Sequence, residues 1–360
     1  MLQHCLARII VRSKIALPDE IRDKEKSWTP WGFLMTFFPI HGIRRSDRCK
    51  RAGSIVYQYR AGLAVLALVF AELASFPVAA QDLSPRAYWP TPKGTKALVI
   101  GYAIAEGDVL FDPSVPLYGV DSELNAGLLA YVQTLSLWGR TSNLIVELPY
   151  AWGETRGFVG DTPARKKYSG FSDLGVTLSA NLMGAPSMTV EDFQAFRADP
   201  HAILGASLKV IAPSGEYDET LLINEGANRW ALKVELGYTL PLSPRWLLEF
   251  EAGALFFGDD DEFLAGKKEQ EPIYTSQMHV VRRFSPGFWG SLNLNYFTGG
   301  RQTIDGTRLG DVQRNSRLGT TFVFPVAQGH AIKVGYAVGW LTRFGTDFDQ
   351  FLVSFTKVLN

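Results

Sequence analysis

A two-residue alternation of apolar and polar side chains recurs from residue 96 to residue 358, and no other feature limits the possible folds as much. Between Trp246 and Phe256 every even-numbered residue is aromatic, leucine or alanine, whereas the odd-numbered ones include Glu249 and Glu251. A period of two places successive side chains on opposite faces of a β-strand. The pattern predicts about twelve strands, at residues 96–105, 122–136, 142–152, 169–183, 202–212, 228–240, 246–257, 272–284, 287–298, 314–326, 330–343 and 348–358.

The lengths of the strands and of the segments between them predict a transmembrane barrel. Most predicted strands exceed the length of about five or six residues that is common in soluble proteins. Short turns alternate with long polar segments. The turns are at 137–141, 241–245, 285–286 and 327–329, and the long segments are near 106–121, 153–168, 213–227, 258–271 and 299–313. This alternation is typical of an antiparallel up-and-down barrel, which closes so that no backbone group is unpaired in lipid.

Charged residues occupy the face opposite the aliphatic ones, which predicts an apolar exterior and a polar lumen. The candidate pore-lining residues are Lys209, Arg229, Lys233, Glu235, Glu249, Glu251, His279 and Lys333. Pairs such as Lys233 with Glu249 or Glu251 would form an ion-pair network that stiffens the lumen, or one that selects what passes through it. Twelve strands predict a narrow or partly occluded passage. The alternative is a soluble all-β protein with the aliphatic face inside.

Tryptophans lie outside the predicted strands or close to their ends. Such positions are typical of the aromatic girdles of membrane barrels, where a ring contacts both lipid and water. The predicted girdle residues are Trp138, Trp152, Trp230, Trp246, Trp289 and Trp340.

One connection that should be a short turn, 184–201, is long and contains a helix signal. Thr189 is a candidate N-cap, and Pro200 ends the run 190–199. The helix would either cover the lower rim of the barrel or act as a plug or a contact for a periplasmic partner.

The first 80 residues differ in character from the rest. Residues 56–80 have the pattern of a secretory signal peptide, with an apolar run 63–71 and small residues before a predicted cleavage after Ala80. Residues 1–55 are interpreted as an over-extended start without structure. The barrel, 81–360, has 24 Lys and Arg and 30 Asp and Glu. This acidic balance argues against a nucleic-acid partner.

No catalytic or cofactor motif is present, and neither a cofactor nor a metal site is predicted. Asp259, Asp260, Asp261 and Glu262 offer carboxylates to Ca²⁺, but the EF-hand spacing is missing, and a solvated acidic loop is the favoured interpretation. His279 would point into the lumen beside Gln277, as a solvated, pore-lining or catalytic side chain.

Several short stretches resemble the family "MetA-pathway of phenol degradation". They are Leu83–Pro90, Gly107–Asp108 with Phe111–Pro113, Glu147–Tyr150, Ser172–Gly175 and Asn295–Gly300. The resemblance covers nearly all of 83–359. It implies an outer-membrane β-barrel with a part in the uptake of aromatic or other hydrophobic compounds. The family supplies no catalytic or binding motif that can be carried over.

Taken together, the sequence predicts a channel in the outer membrane of a Gram-negative bacterium for passive uptake of small, hydrophobic or aromatic, solutes. Its predicted partners are the lipid bilayer, the solute and the outer-membrane assembly machinery. Two alternatives stay open, namely an outer-membrane enzyme acting on lipid or peptide and a structural barrel with a filled interior.

Overall fold

The computed structural model describes residues 84–110, 117–159, 162–219, 224–263 and 266–359. The predicted start segment 1–55 and signal peptide 56–80 lie outside the described residues. No helix in the described ranges is long and apolar enough to cross a membrane. The strands and the helix are β1 (Lys96–Leu110), β2 (Leu117–Leu137), β3 (Arg140–Val159), β4 (Thr162–Phe171), β5 (Gly175–Met183), α1 (Val190–Ala198), β6 (Ile203–Ile211), β7 (Ala231–Ser243), β8 (Trp246–Phe257), β9 (Asp260–Phe263), β10 (Gly266–Gln270), β11 (Ile273–Ser285), β12 (Phe288–Gly299), β13 (Gln302–Ile304), β14 (Thr307–Arg308), β15 (Gln313–Ala327), β16 (His330–Leu341) and β17 (Gly345–Leu359).

Thirteen of these strands form one antiparallel sheet that closes into a barrel with twelve strand positions, as predicted, because β4 and β5 share one position beside β3. Strand β4 pairs with β3 alone, and each of the other wall strands is hydrogen-bonded on both sides. The first strand, β1, pairs with both β2 and the last strand, β17, so that Lys96 lies opposite Gln133 on one side and Leu359 on the other. This closure leaves neither the first nor the last strand with an open edge, which is the condition for a sheet in hydrocarbon.

The predicted strand 169–183 is wrong in one respect, because it is broken into β4 and β5. Strand β4 pairs with residues 150–159 of β3, the half near the long loops. Strand β5 pairs with residues 142–147, the half near the short turns. Between them, the Asp173 carboxylate accepts backbone N–H groups of Ser214, Gly215 and Ala227 at 2.8–3.1 Å. These hydrogen bonds hold the loop after β6 against residue 173. The regular strand is interrupted there.

The predicted long loops 258–271 and 299–313 contain a second, four-stranded sheet. Its order is β14-β13-β10-β9, and its strands have two to five residues. We call it the loop sheet. Strands this short contain too few alternations for a period of two to stand out from a loop.

The exterior of the wall is apolar, so the prediction of an apolar outside is confirmed for most strands. Leu292 is 65% exposed, while its chain neighbours Ser291 and Asn293 are buried on the luminal face. A soluble barrel would show the opposite arrangement. The exposed outward residues include Ile100, Leu129, Leu178, Leu208, Leu236, Phe250, Leu318, Phe322, Tyr336, Phe351 and Phe355.

Strand β2 reverses the predicted orientation. The row Leu124, Ala126, Leu128, Ala130 and Val132 faces the lumen, because it is paired with the inner row of β1. Ala97, Ala105 and Ala130 are buried, whereas Ile100 and Leu129 on the other face are exposed. Gly127, Leu129 and Leu135 make the second face of β2 compatible with lipid as well, so alternation alone did not determine which side is inside.

Candidate functional site

The lumen of the barrel contains part of the chain itself. Residues Ser84–Pro90, here called the plug segment, precede β1 and enter from the end that carries the short turns. Tyr88 and Trp89 are only 3% and 5% exposed. Short turns mark the periplasmic end of outer-membrane barrels, so the plug segment occupies part of the lumen at its periplasmic end.

The ring of Tyr88 lies against two glycines that are directly opposite each other on neighbouring strands, Gly205 of β6 and Gly237 of β7. A Cβ atom at either glycine would lie 2.1 Å from a ring carbon of Tyr88. The Tyr88 hydroxyl is hydrogen-bonded to Ser207 Oγ at 3.1 Å and to Glu235 Oε1 at 3.2 Å. Only a pair of residues without side chains leaves room for the ring at this depth.

Arg86 fixes the segment through its backbone and its side chain. Its N–H donates to Glu249 Oε2 at 2.7 Å. Its guanidinium carbon lies about 5 Å from the ring centres of Trp89 and Trp289. Asn181 Nδ2 adds a hydrogen bond to the Tyr88 carbonyl at 3.0 Å.

Helix α1 packs against Trp89 of the plug segment, at the position predicted for a short periplasmic helix. Thr189 is its N-cap, with a capping box formed with Asp192. The hydrogen bonds from the Thr189 backbone and side chain lower the pKa of Asp192. Phe196 packs on Trp89 with ring centres 5.4 Å apart. The buried cluster is Tyr88, Trp89, Ala185, Met188, Phe196, Ile203, Leu247 and Val281.

Six of the eight predicted pore-lining residues form polar groups on the lumen wall. Glu249 and Glu251 of β8 lie opposite His279 and Gln277 of β11. His279 Nδ1 is 2.9 Å from Asn293 Oδ1, and Gln277 Nε2 donates to Glu251 at 3.2 Å.

Two ion pairs lie further round the wall. Lys209 pairs with Glu147 at 2.5 Å, a partner that sequence reasoning missed. Lys233 pairs with Glu235 of its own strand at 2.7 Å. The register places Leu255 of β8 opposite Lys233, and Glu249 and Glu251 lie further along that strand.

The remaining two predicted pore-lining residues are Lys333 and Arg229. Lys333 of β16 is on the luminal face, opposite Ser354. Arg229 precedes β7 instead of belonging to it, and is buried near the loop sheet. There it donates to Gln270 and lies 4.7 Å from the ring centre of Phe257.

The inner wall has two chemically different sides. Strand β1 is separated from β8 by five strands in either direction around the ring, and β2 is likewise opposite β11. The β1–β2 side presents Ala97, Val99, Ala103, Ala105, Leu124, Ala126, Leu128, Ala130 and Val132. The β8–β11 side presents Glu249, Glu251, Gln277 and His279. An apolar wall therefore faces a polar one across the lumen.

Five of the six predicted girdle tryptophans are exposed: Trp138, Trp152, Trp230, Trp246 and Trp340. The sixth, Trp289, is on the luminal face, in register with Val323 and one alternation from Ser291. It packs against the buried cluster around the plug segment. Its assignment to the girdle is therefore wrong, because distance from a strand end does not reveal the face.

His279 and the predicted acidic loop are both engaged by neighbouring side chains. His279 is fully buried between carboxylates and amides. Within the described ranges, no three His, Cys, Asp or Glu residues are placed to hold a metal ion. The acidic residues Asp259 and Asp260 bond instead to Lys267, Tyr217 and Asn228.

The fold and the lumen define a class of protein, a twelve-stranded outer-membrane β-barrel whose lumen contains a segment of its own chain. Within that class, the chain belongs to the family described as "Putative MetA-pathway of phenol degradation", whose model matches residues 107–343, about two thirds of the chain. The resemblance inferred from the sequence is thereby confirmed. A comparison with curated proteins finds no match.

The fold is similar to that of a solved bacterial outer-membrane barrel. The COG4313 outer membrane channel from Pseudomonas putida F1 aligns with a TM-score of 0.65 at 21% identity, over 77% of this chain and 100% of that one. The β domain of the Bordetella autotransporter Brka aligns with a TM-score of 0.47 at 11% identity, over 74% and 100%. The transport unit of the autotransporter AIDA-I from Escherichia coli gives 0.45 at 11%, over 78% and 93%. The first likeness shows a shared fold, and the other two are too distant to add to it.

Proposed function

We propose that the protein is a passive outer-membrane channel for small solutes that combine an apolar ring or chain with a polar group. The observation that carries this proposal is the two-sided lumen, with the alanine and leucine rows of β1 and β2 opposite the Glu, Gln and His groups of β8 and β11. An aromatic ring gains free energy when it leaves water for an apolar wall. A hydroxyl or carboxyl on the same molecule needs hydrogen-bond partners. Glu249, Glu251, Gln277 and His279 on the opposite wall are buried in the structure described, and Glu249 is bonded to the plug segment, so they would serve a solute once the plug segment is displaced.

The plug segment makes the channel narrow in the structure described. A solute that reaches the periplasm must pass beside Tyr88 or displace it. Tyr88 is held by two hydrogen bonds, to Ser207 and Glu235, and by close packing on two glycines. A net value of about 1 kcal/mol for each hydrogen bond is small enough for a bound solute to compete with. The proposal therefore includes the plug segment as the element that limits flux.

The experiment is selectivity in a planar bilayer that contains the refolded protein. Benzenesulfonate and methanesulfonate carry the same charge, and neither crosses lipid readily, so their relative permeability reports the effect of the ring. We expect benzenesulfonate to be preferred. Replacing Leu128 with Asn removes apolar contact worth about 1 kcal/mol and should reduce the preference about fivefold.

The luminal variant Gly335→Ala is the control for that experiment, because a Cβ there meets its nearest atom, Leu352 Cβ, at an ordinary 3.7 Å. Conductance equal to that of the bare bilayer, both with and without residues 84–90, would contradict the channel and favour a structural barrel. Equal permeability of the two anions would contradict the role of the apolar wall.

We propose further that the protein has no catalytic role. His279, the residue that an enzyme would have needed, contacts Asn293 and Glu251 in a fully buried position. Incubation with phospholipid and peptide substrates should release no product, and release that depends on His279 would contradict this view.

Residues 56–80 are proposed as the export signal, and the assembly machinery of the outer membrane as the partner that inserts the barrel. Mass spectrometry of the protein purified from outer membranes should find Gln81 as its first residue. Peptides from residues 5–50 in that material would contradict both the signal and the over-extended start.

A further inference from the structure

A cleft of about 450 Å³ lies at the short-turn end of the barrel. Helix α1 contributes Gln194, Arg197 and Ala198 to its wall. The turn between β7 and β8 contributes Pro244 and Arg245, the end of β11 contributes Arg283, Phe284 and Ser285, and the turn that follows contributes Pro286. We call it the periplasmic cleft. Three arginines from three separate elements therefore converge on one cavity.

None of these three guanidinium groups forms an ion pair with a carboxylate within the described part of the chain. Arg283 Nη2 donates to the Arg197 carbonyl at 2.8 Å. Arg283 Nη1 is buried and has no hydrogen-bond partner in the described residues. A buried donor without an acceptor costs about 1–3 kcal/mol, so this atom needs an acceptor that the described residues do not provide.

Two of the three arginines, Arg197 and Arg283, lie over aromatic rings. The guanidinium carbon of Arg283 lies 5.1 Å from the ring centre of Trp89, and that of Arg197 lies 5.7 Å from the ring centre of Phe193. The guanidinium carbon of Arg86 lies 5.0 Å from the ring centre of the same Trp89, so a fourth cation lies nearby.

The acidic groups around the cleft do not neutralise these cations. Asp192 is occupied by the Thr189 cap, and Glu249 accepts from the Arg86 backbone. Glu191 and Asp199, near the two ends of α1, are exposed to water. The cleft therefore concentrates positive charge around a space that is large enough for a small ligand.

From this geometry we propose that the periplasmic cleft binds an anionic oxygen group, a carboxylate or a phosphate. Guanidinium groups present paired donors that match the oxygens of such groups, and charge-assisted hydrogen bonds are about twice as strong as neutral ones. A bound anion would accept from Arg283 Nη1 and would reduce the repulsion between the three cations. The site does not depend on the proposed channel activity, because an anion can bind at this end of the barrel whether or not solutes cross the lumen.

Two sources of this chemistry can reach the periplasmic end. One is an anionic solute in the periplasm or leaving the lumen, and the other is the phosphate of an inner-leaflet phospholipid. The exposed Arg282 of β11, beside Trp246 at 5.1 Å, belongs to the outward face and does not line the cleft. It is therefore a matched control for the arginine next to it.

The test is isothermal titration calorimetry on the full barrel in an uncharged detergent. The probes are inorganic phosphate, benzoate and dihexanoyl-phosphatidylglycerol below its critical micelle concentration. We expect saturable binding that weakens about tenfold or more in Arg245→Gln and Arg283→Gln and stays unchanged in Arg282→Gln. Arg245 is exposed in a turn, so its replacement should leave folding intact, which the heat-dependent gel shift of the barrel verifies.

The three probes also separate the sources. Binding of phosphate and benzoate with no gain for the lipid assigns the site to free anions, and binding of the lipid alone assigns it to the leaflet. The proposal is overturned if no probe binds saturably to the wild-type barrel. It is equally overturned if Arg245→Gln binds each probe as the wild type does.

Discussion

Of the residues in the plug segment, Tyr88 contributes most to keeping the lumen narrow. It contacts the wall through Gly205 and Gly237, and through hydrogen bonds to residues that are more than one hundred positions away in the chain. The absence of side chains at two paired positions is what admits the ring. A small change at a glycine should therefore act on the channel as strongly as a change at Tyr88 itself.

We expect Gly237→Ala to raise the conductance of the barrel severalfold. The new methyl group would lie 2.1 Å from a ring carbon of Tyr88, and overpacking of this kind costs about 1–3 kcal/mol, which favours displacement of the plug segment. Single-channel recording in planar bilayers measures the effect. Gly335→Ala has space for its methyl group and should conduct as the wild type does. A Gly237→Ala channel with wild-type conductance would show that the plug segment does not limit the current.

At the scale of elements, the break between β4 and β5 depends on one carboxylate. Asp173 accepts three backbone N–H groups from the loop after β6. Asp173→Ala should raise the local opening around Gly215 and Ala227 about tenfold, because it removes the acceptor of three exposed or half-buried hydrogen bonds that contribute about 0.5–1.5 kcal/mol each. Hydrogen exchange of the Gly215 and Ala227 amides measures this opening. Asp199→Ala, at the end of α1, should leave both amides protected, and slow exchange of them in Asp173→Ala would refute the role of the carboxylate.

The loop sheet contains two adjacent lysines, Lys267 and Lys268, whose pKa values should differ. The Lys268 ammonium lies 4.6 Å from the ring centre of Phe263, and burial, together with the charge of Arg229, lowers its pKa to about 8. Hydrogen bonds to Asp259 and Glu269 raise the pKa of Lys267 to about 12. NMR titration of the dimethylated lysines should resolve the two transitions, with each lysine serving as the control for the other.

The direction of the pH effect on stability follows from Lys268. An unfolded lysine keeps its proton up to about pH 10.4. Between about pH 8 and that value, the folded loop sheet binds fewer protons than the unfolded chain, so its stability should rise with pH across this window. Lys267 contributes stability below about pH 10.4 and loses it only as the pH approaches 12. A Lys268 transition at or above pH 10 would contradict the buried environment.

At the scale of the whole molecule, depth in the membrane should decide the cost of a charge on the outside. Leu292 is an outward residue in the interior of β12, whereas Leu242 is an outward residue next to the β7–β8 turn. An arginine costs about 2–4 kcal/mol at the bilayer midplane and about 0–1 kcal/mol near the interface. Leu292→Arg should therefore lower the free energy of unfolding from liposomes, and Leu242→Arg should change it little. Equal costs at the two sites would contradict the assigned orientation in the membrane.

The sequence by itself determined the twelve wall strands, the closed barrel, the apolar exterior of most strands and the helix α1 with its Thr189 cap. Each of these rests on patterns within about fifteen residues, and a local period reports strand or helix directly. The position of Glu249, Glu251 and His279 on one inner face also followed from this period, because charges mark the luminal side of their strands.

Only the tertiary structure decided which face of β2 is inside, where Trp289 points, why the strand 169–183 is broken and that the plug segment occupies the lumen. Both faces of β2 are compatible with lipid, so its orientation is fixed by its register with β1. The pocket for Tyr88 exists because Gly205 and Gly237 are brought opposite each other by strand pairing. A period of two cannot encode such features, since they depend on contacts between residues that the chain places far apart.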